Sequence, residues 1–194
     1  MIIKTFVPMT NFIKTNSLFA CALILLTATA AFSQSKPFVP ADFKVPTILE
    51  NQYFRIRMLT INDAIKDYDM EMSSKDHLHE MFPDWNWPPD DMSLEQELID
   101  LGWHQKEFQR RRSFVYTVIS LDESIILGCV RINPTTKADY DANIDMWVRT
   151  SVLDKGYDKI LFDMVKQWVA KDWPFKKVAY PGREISWQEW RSIK

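Results

Sequence analysis

The sequence predicts an α+β fold, an α/β sandwich in which helices pack on a mixed, mostly antiparallel sheet. Two observations predict it. First, short β-branched and aromatic runs alternate with amphipathic helical segments in the order β-α-α-β-β-β-α-β-α. Second, three consecutive strands indicate an antiparallel centre, whereas the later β-α-β unit indicates a right-handed crossover between parallel strands. Hydrophobic residues make up 46% of the chain and charged residues 26%, which is typical of a globular protein with its own core.

The first 33 residues have the pattern of a secretory signal peptide. Basic residues come first, an apolar run over residues 18–26 follows, and residues 31–33 supply the small residues that a cleavage site requires. An uncleaved membrane anchor is the alternative, because residues 15–35 carry no charge over a length that can span a bilayer. We therefore expect an exported protein, periplasmic or secreted. A cytoplasmic location is the alternative if this segment is an anchor or if translation starts later.

The charge balance excludes a dedicated nucleic-acid binder. Without residues 1–33, which contain Lys4 and Lys14, 22 basic and 26 acidic residues remain and the formal net charge is −4. Phosphate backbones attract basic surfaces, so nucleic acid is not an expected partner, and a membrane is one only if the N-terminal segment stays uncleaved. Cleavage also leaves Cys129 as the single cysteine, in an apolar stretch that predicts a buried side chain and no disulfide.

A proline-containing segment precedes the predicted domain. Residues 34–52 contain three prolines and predict a linker or surface strap, and residues 53–194 form a single domain. Alternating apolar and basic residues over 54–58 predict a half-buried strand. Thr60 and Asp63 have the spacing of a helix cap. We expect the following helix to bury one apolar face, made of Ile61, Ala64, Ile65, Tyr68 and Met72.

A second helix and two strands follow an irregular stretch over residues 76–91. Residues 93–96 form a capping box, and apolar residues at helical spacing come after it. The β-branched and aromatic runs over 114–119 and 125–132 predict two strands, which a hairpin turn at 121–124 joins. The expected apolar positions of the helix are Leu94, Leu98, Leu101 and Phe108.

The last third of the chain predicts a crossover unit and a short closing helix. A strand over 144–148 leads to a capping box at 151–154, which would begin an amphipathic helix that ends near Trp173. A short strand over 177–180 follows. Residues 186–189 then open the last helix.

This order of elements resembles the GCN5-related N-acetyltransferase (GNAT) superfamily. Residues 126–130 are similar to the family's third strand, where an I-x-G-x-V pattern is common. Residues 147–149 followed by 155–157 are similar to its fourth strand and to the cofactor loop after it. The resemblance covers residues 53–190 and implies a GNAT-like sheet. The loop departs from the family pattern R/Q-x-x-G-x-G/A at Leu153 and Asp158, and the chain ends soon after the fifth strand.

The resemblance implies that acetyl-CoA, the co-substrate, binds at the loop after the fourth strand. A strand that runs into a helix N-terminus presents unpaired N–H groups and the positive end of a dipole, which suit a pyrophosphate. A glycine lets the backbone approach the phosphates closely. The expected cofactor-binding residues are Val148, Arg149, Lys155, Gly156, Tyr157 and Asp158.

Asp145 and Tyr180 are the candidate catalytic residues. Alternation along the strand places Asp145 on one face with its neighbours at 143 and 147, where it is a candidate base for the acceptor ammonium, directly or through a water. A strand carboxylate that faces solvent is the alternative. Backbone N–H groups near Val148 are candidate donors to the oxyanion. Tyr180 is a candidate proton donor to the leaving thiolate, and a packing tyrosine is the alternative.

The aromatic and acidic stretch over residues 82–91 is the candidate acceptor site. Aromatic faces beside carboxylates suit a cationic amine, so Trp85 and Trp87 are expected to bind a small-molecule or peptide amine. The alternative is a loop that its tryptophans anchor to the core. Trp103 and His104 on the long helix are expected to line the same pocket. No metal site is predicted, because the two histidines at 77 and 79 lack a third ligand at recognisable spacing.

The sequence thus leaves two functions open. The first is an N-acetyltransferase that moves an acetyl group from acetyl-CoA to an amine. The second is a non-catalytic, exported ligand-binding module on the same scaffold. The family often forms dimers, so a homodimer is a candidate assembly. Arg183, near the C-terminus, is a further candidate for contact with a ligand phosphate.

Overall fold

Six strands form one sheet in the computed structural model, which describes residues 37–194. The predicted signal peptide, residues 1–33, lies outside the described residues. Neighbouring strands run antiparallel from β1 to β5, and β6 lies parallel to β5. The strands, in their spatial order, are β1 (Ile48–Glu50), β2 (Arg55–Met58), β3 (Phe114–Ile119), β4 (Ile126–Asn133), β5 (Ala142–Val148) and β6 (Val178–Ala179).

Helices cover both faces of this sheet, so the predicted α+β architecture is confirmed. One face carries a core that includes residues of α1, α2 and α3, and the other carries a core built with α4. Within the described residues, no helix is both long and apolar enough to cross a membrane. The helices are α1 (Ala64–Met72), α2 (Lys75–Met81), α3 (Leu94–Gln109), α4 (Tyr157–Asp172) and α5 (Trp187–Ser192).

Three of the four expected helix caps are confirmed. Asp63 accepts from the Thr60 backbone N–H, and capping boxes open α3 at Ser93 and α5 at Ser186. The fourth is wrong, because residues 150–155 form a 3-10 turn and α4 begins only at Tyr157. Residues 76–91 are not wholly irregular either, since α2 occupies the first part of that stretch.

The segment predicted as a linker is part of the domain. Its residues 48–50 form β1, which pairs with β2. The part before β1 is a strap docked on the core: Val39 is buried, and the Phe38 ring stacks on that of Phe114 at a centroid distance of 5.7 Å. The Tyr116 hydroxyl donates to the carbonyl oxygen of Pro46 at 2.7 Å. The prolines therefore shape a strap that contributes side chains to the core.

The expected apolar faces of α1 and α3 are only partly confirmed. Ala64, Leu101 and Phe108 are buried as expected. Ile65 is 74% exposed and Leu98 is 45% exposed, although both were assigned to buried faces. The residues that α1 and α3 bury instead include three carboxylic acids, Asp67, Glu71 and Glu97. The sheet face below these helices explains the difference, because it carries the polar side chains of Arg131 and Asp145.

Candidate functional site

The sheet opens between β5 and β6. Among the described residues, β6 pairs with β5 only at Ala142 and Asn143. Further along, the Arg149 backbone N–H donates to the carbonyl oxygen of Leu127 on the β4 side. Because successive residues of an antiparallel strand alternate in the direction of their hydrogen bonds, the N–H and C=O groups at 146 and 148 point away from β4. They form an open strand edge that faces the gap.

The loop after β5 brings the N-terminus of α4 to this gap. Gly156 caps α4 in the left-handed conformation, with φ 71°. A Cβ atom at Gly156 would meet nothing within 4 Å, so the backbone there is open to a ligand. Within residues 37–194, no side chain caps the first turn of α4, so its backbone N–H groups lack a side-chain partner there. Lys155, beside this glycine, adds positive charge.

The Arg183 side chain fills the gap. Its guanidinium donates to both carboxylate oxygens of Asp158, at 2.9 and 2.6 Å, and to the carbonyl oxygen of Met146 at 3.0 Å. The same group lies over the Phe162 ring, 5.2 Å from its centroid. Arg183 thus pairs within the chain with the acid that the sequence places in the cofactor loop, and it takes up one carbonyl of the open strand edge.

Asp145 lies on the opposite face of the sheet, and it is buried. Its carboxylate accepts from Arg131 Nε at 2.9 Å and from Asn133 Nδ2 at 3.2 Å. Burial raises the pKa of Asp145, and the Arg131 charge opposes that shift. The alternative of a carboxylate facing solvent is therefore wrong. The Trp85 ring covers Arg131, with the guanidinium carbon 4.0 Å from the ring centroid, and stacks on the Phe82 ring.

Three further acids lie buried in the same layer, between the sheet and the helices α1 and α3. Asp67, Glu71 and Glu97 each place a carboxylate oxygen within 4.8 Å of the other two. Burial, followed by the nearby Asp67 charge, raises the pKa of Glu71 to about 8. Burial raises the pKa of Glu97 as well. The Trp87 indole N–H donates to Glu71, so this tryptophan closes the layer from outside.

The predicted acceptor residues fall into two places. Trp85 and Trp87 cover the buried polar layer, as just described. Trp103 is half exposed and shares a surface pocket of about 350 Å³ with Trp87 and Asp100. His104 Nε2 lies 3.2 Å from a carboxylate oxygen of Asp100. The structure therefore brings Trp87 and Trp103 to one pocket and turns Trp85 inward.

Comparison with solved structures identifies the architecture. The chain superposes on the ribosomal-protein-S5-alanine acetyltransferase of Vibrio fischeri with a TM-score of 0.52 and 17% identity, covering 65% of this chain and 68% of that one. It also matches the L7/L12 acetyltransferase RimL bound to coenzyme A (TM-score 0.52, 17% identity, 64% and 68% covered). A third match is the microcin C7 self-immunity acetyltransferase MccE bound to acetyl-CoA and AMP (TM-score 0.53, 14% identity, 67% and 69% covered).

The chain has the GNAT fold. A scan of the sequence against protein-family models finds no match, and a search of curated proteins finds none either. The likeness is therefore carried by the path of the chain. The resemblance inferred from the order of elements is confirmed at the level of the fold.

The side chains of two predicted site residues contact other parts of the chain in this GNAT fold. The Arg149 side chain turns away from the gap, toward the end of α1, where it donates to Asp69 and Ser73 at 3.1 Å each. The Tyr180 ring packs edge-on against Phe162 of α4, on the sheet face opposite Asp145. Burial raises the pKa of Tyr180 to about 12.

The buried acids of the layer were not predicted from the sequence. Asp67 and Glu71 are four residues apart on one helix, a spacing that places two carboxylates on the same face. That spacing was the available signal. A more obvious apolar periodicity on the same helix obscured it, although Ile65 of that pattern faces solvent in the structure. Arg131, in an otherwise apolar strand, was the second signal.

Proposed function

We propose that the protein is an N-acetyltransferase that transfers an acetyl group from acetyl-CoA to a cationic amine. The GNAT fold supports acyl transfer. One observation supports acetyl-CoA as the acetyl donor: the open edge of β5 leads to the N-terminus of α4, which no side chain caps. Coenzyme A combines a polyanionic end with an extended arm that contains amides. A helix N-terminus suits the first, and an open strand edge suits the second.

The residues present fit this donor in two parts. Gly156, Lys155 and the first turn of α4 would hold the phosphates, because the backbone is open there and the charge is favourable. The strand edge at Met146 and Val148 would pair with the arm, provided that the Arg183 side chain leaves the gap. Acetyl-CoA would supply the activated thioester. The protein would supply position, a base and an oxyanion donor.

Three groups of the chain have the proposed chemical roles. The Val148 N–H, on the open edge, would donate to the oxyanion that forms at the acyl carbon. Asp145 would take the proton of the acceptor ammonium through a water, since burial raises the pKa of its carboxyl. Tyr180, at the end of β6, stays the candidate proton donor for the thiolate.

The acceptor would bind on the side of the sheet that α1 and α3 cover. That layer contains four buried acids, Asp67, Glu71, Glu97 and Asp145, and the pocket beside it is bounded by Trp87 and Trp103. The faces of tryptophan rings favour a positively charged ligand, and Asp100 adds a carboxylate to the lining of this pocket. We therefore propose a small-molecule or peptide amine as the acceptor.

Calorimetric titration of the protein with acetyl-CoA tests the donor site. We expect saturable binding that Gly156→Glu abolishes, because the new carboxylate would stand where the phosphates bind. Gly156→Ala introduces the same backbone strain without charge and should retain binding. Gln167→Glu adds one negative charge to an exposed position of the same helix and serves as the control. Equal affinity in all four proteins would contradict the assignment.

The Arg183–Asp158 ion pair favours a second function, a non-catalytic module on the same scaffold. A gap that the chain fills with its own side chain needs no cofactor. An exported protein would also be separated from acetyl-CoA, which is made inside the cell. Failure of the wild-type protein and of a variant without Arg183 to bind acetyl-CoA would favour this second function.

A further inference from the structure

Asp67, Glu71 and Glu97 form a compact set of oxygen atoms inside the protein. Asp67 and Glu71 lie on successive turns of α1, and Glu97 lies on the first turn of α3. Glu97 is fully buried, and the other two expose less than a tenth of their surface. One carboxylate oxygen of each lies within 4.8 Å of the others. Oxygen ligands about 2.0–2.6 Å from a hard cation are separated by such distances.

The Trp87 indole donates to Glu71, but oxygens of Asp67 and Glu97 lack a donor among the described residues. Among residues 37–194, no donor reaches Asp67 Oδ1 or either oxygen of Glu97. The Asp67 and Glu97 carboxylates are also neighbours close enough to share a hydrogen bond. Two carboxylates in that position need something positive between them, a proton or a cation.

The nearby basic side chains have other partners. Arg131 pairs with Asp145 and lies against the Trp85 ring. His104 pairs with Asp100. Within the described chain, no ion pair joins a lysine, arginine or histidine to any of the three acids. Among the described residues, none of the three acids therefore has a basic side chain at ion-pair distance.

An additional orphaned oxygen lies in the same layer. The Thr117 side chain is fully buried, and its hydroxyl has no hydrogen-bond partner among the described residues. Thr117 belongs to β3, and its flanking residues at 115 and 119 face the core under α1 and α3. The Thr117 side chain thus points into the layer that holds the acids. Buried hydroxyls without a partner are uncommon, and a neutral oxygen in the same layer as three carboxylates matches the chemistry of a hard-cation site.

We propose that Asp67, Glu71 and Glu97 bind a hard divalent cation, such as Ca²⁺, Mg²⁺ or Mn²⁺, between α1 and α3. The ligand set contains only oxygen, which favours these ions over zinc. Acetyl transfer does not require such an ion, so this site goes beyond the proposed function. The ion would tie the two helices together. Through the Trp87 indole on Glu71, it would also hold the aromatic segment over the layer.

Titration of the metal-free protein with each ion alone tests the site. The protein is stripped with a chelator, desalted, and titrated with Ca²⁺, Mg²⁺ or Mn²⁺ in a calorimeter. We expect one equivalent to bind with at least one of these ions and to raise the unfolding temperature. Glu97→Gln, which keeps size and hydrogen bonding, should weaken binding at least tenfold. Glu107→Gln, a largely buried acid further along α3 and outside the set, is the matched control.

A measurement on the wild-type protein avoids dependence on the variants. Bound Mn²⁺ broadens nearby proton signals, so the Trp87 indole N–H should disappear from the NMR spectrum while that of Trp190 on α5 remains. Trp87→Phe assigns the signal. If none of the three ions binds, or if Glu97→Gln and Glu107→Gln bind equally well, or if Mn²⁺ broadens both indoles alike, the proposal is overturned and shared protons neutralise the acids.

Discussion

Replacing Arg183 with methionine would isolate the ion pair that fills the gap between β5 and β6. The guanidinium makes three hydrogen bonds there, two to Asp158 and one to the carbonyl oxygen of Met146. Methionine keeps an unbranched apolar stem against the Phe162 ring and removes the charge and the donors. The variant therefore opens the strand edge with little loss of packing.

The expected magnitude follows from the burial of the pair. The side chains of Arg183 and Asp158 expose 16% and 28% of their surfaces, so the pair is neither buried nor fully solvated. Exposed ion pairs contribute about 0–1 kcal/mol, and hydrogen bonds to charged groups contribute about 1.5–3 kcal/mol. We take a value of about 2 kcal/mol for the whole arrangement. A ligand that must displace Arg183 would gain that free energy in the variant, and its Kd would fall about 30-fold.

Calorimetric titration with acetyl-CoA measures this effect in the wild-type protein and in Arg183→Met. Arg191→Met is the control, because Arg191 makes an exposed ion pair with Asp84, outside the gap. Urea unfolding of the same proteins should show a loss of about 2 kcal/mol for Arg183→Met. Weaker binding by Arg183→Met would mean that Arg183 contacts the cofactor itself. Unchanged binding would mean that the gap is not on the cofactor's path, and either result would refute the reasoning.

Four other changes test the fold and the proposed base. Gly128→Ala would place a Cβ atom 2.2 Å from a carbonyl oxygen of β5, so we expect urea unfolding to show a loss of about 2–3 kcal/mol or more. Gly102→Ala, within α3, would place a Cβ atom 3.9 Å from a side-chain carbon of Ile61, so it should instead be neutral or stabilising by up to about 1 kcal/mol. Tyr116→Phe removes the donor to the Pro46 carbonyl and should lower the free energy of unfolding by about 1–2 kcal/mol, measured in the same way. An unchanged free energy of unfolding would mean that this contact of the strap does not stabilise the domain. If Asp145 is the base, the wild-type rate should fall as pH drops through its raised pKa, and Asp145→Asn should abolish that acidic limb; an unaltered pH–rate profile would remove Asp145 from the mechanism.

Local signals explain why the order of elements could be predicted. The caps at Thr60, Ser93 and Ser186 depend on residues three positions away, and the strands β3 to β5 depend on runs of β-branched and aromatic residues. These interactions lie within one turn or one strand, so the chain carries them wherever it packs. The same holds for Gly156, whose place between β5 and α4 indicated an open backbone.

The candidate site depended on contacts between distant parts of the chain. Arg183 meets Asp158 across 25 positions, and Trp87 meets Glu71 across 16. Local spacing cannot predict which acid pairs with Arg183 or with Trp87, because the chain contains many Asp and Glu residues.

By itself, the sequence determined the order of helices and strands except β1 and α2, together with three helix caps and the GNAT-like path of the chain. Tertiary structure alone decided that Asp67, Glu71 and Glu97 are among the buried residues of α1 and α3. The polar face of the sheet, with Arg131 and Asp145, lies under those helices and turns their acids inward, although Ile65 and Leu98 favoured the opposite rotation. The physical reason is that helix periodicity defines faces, whereas the surface against which a helix packs selects the face that is buried.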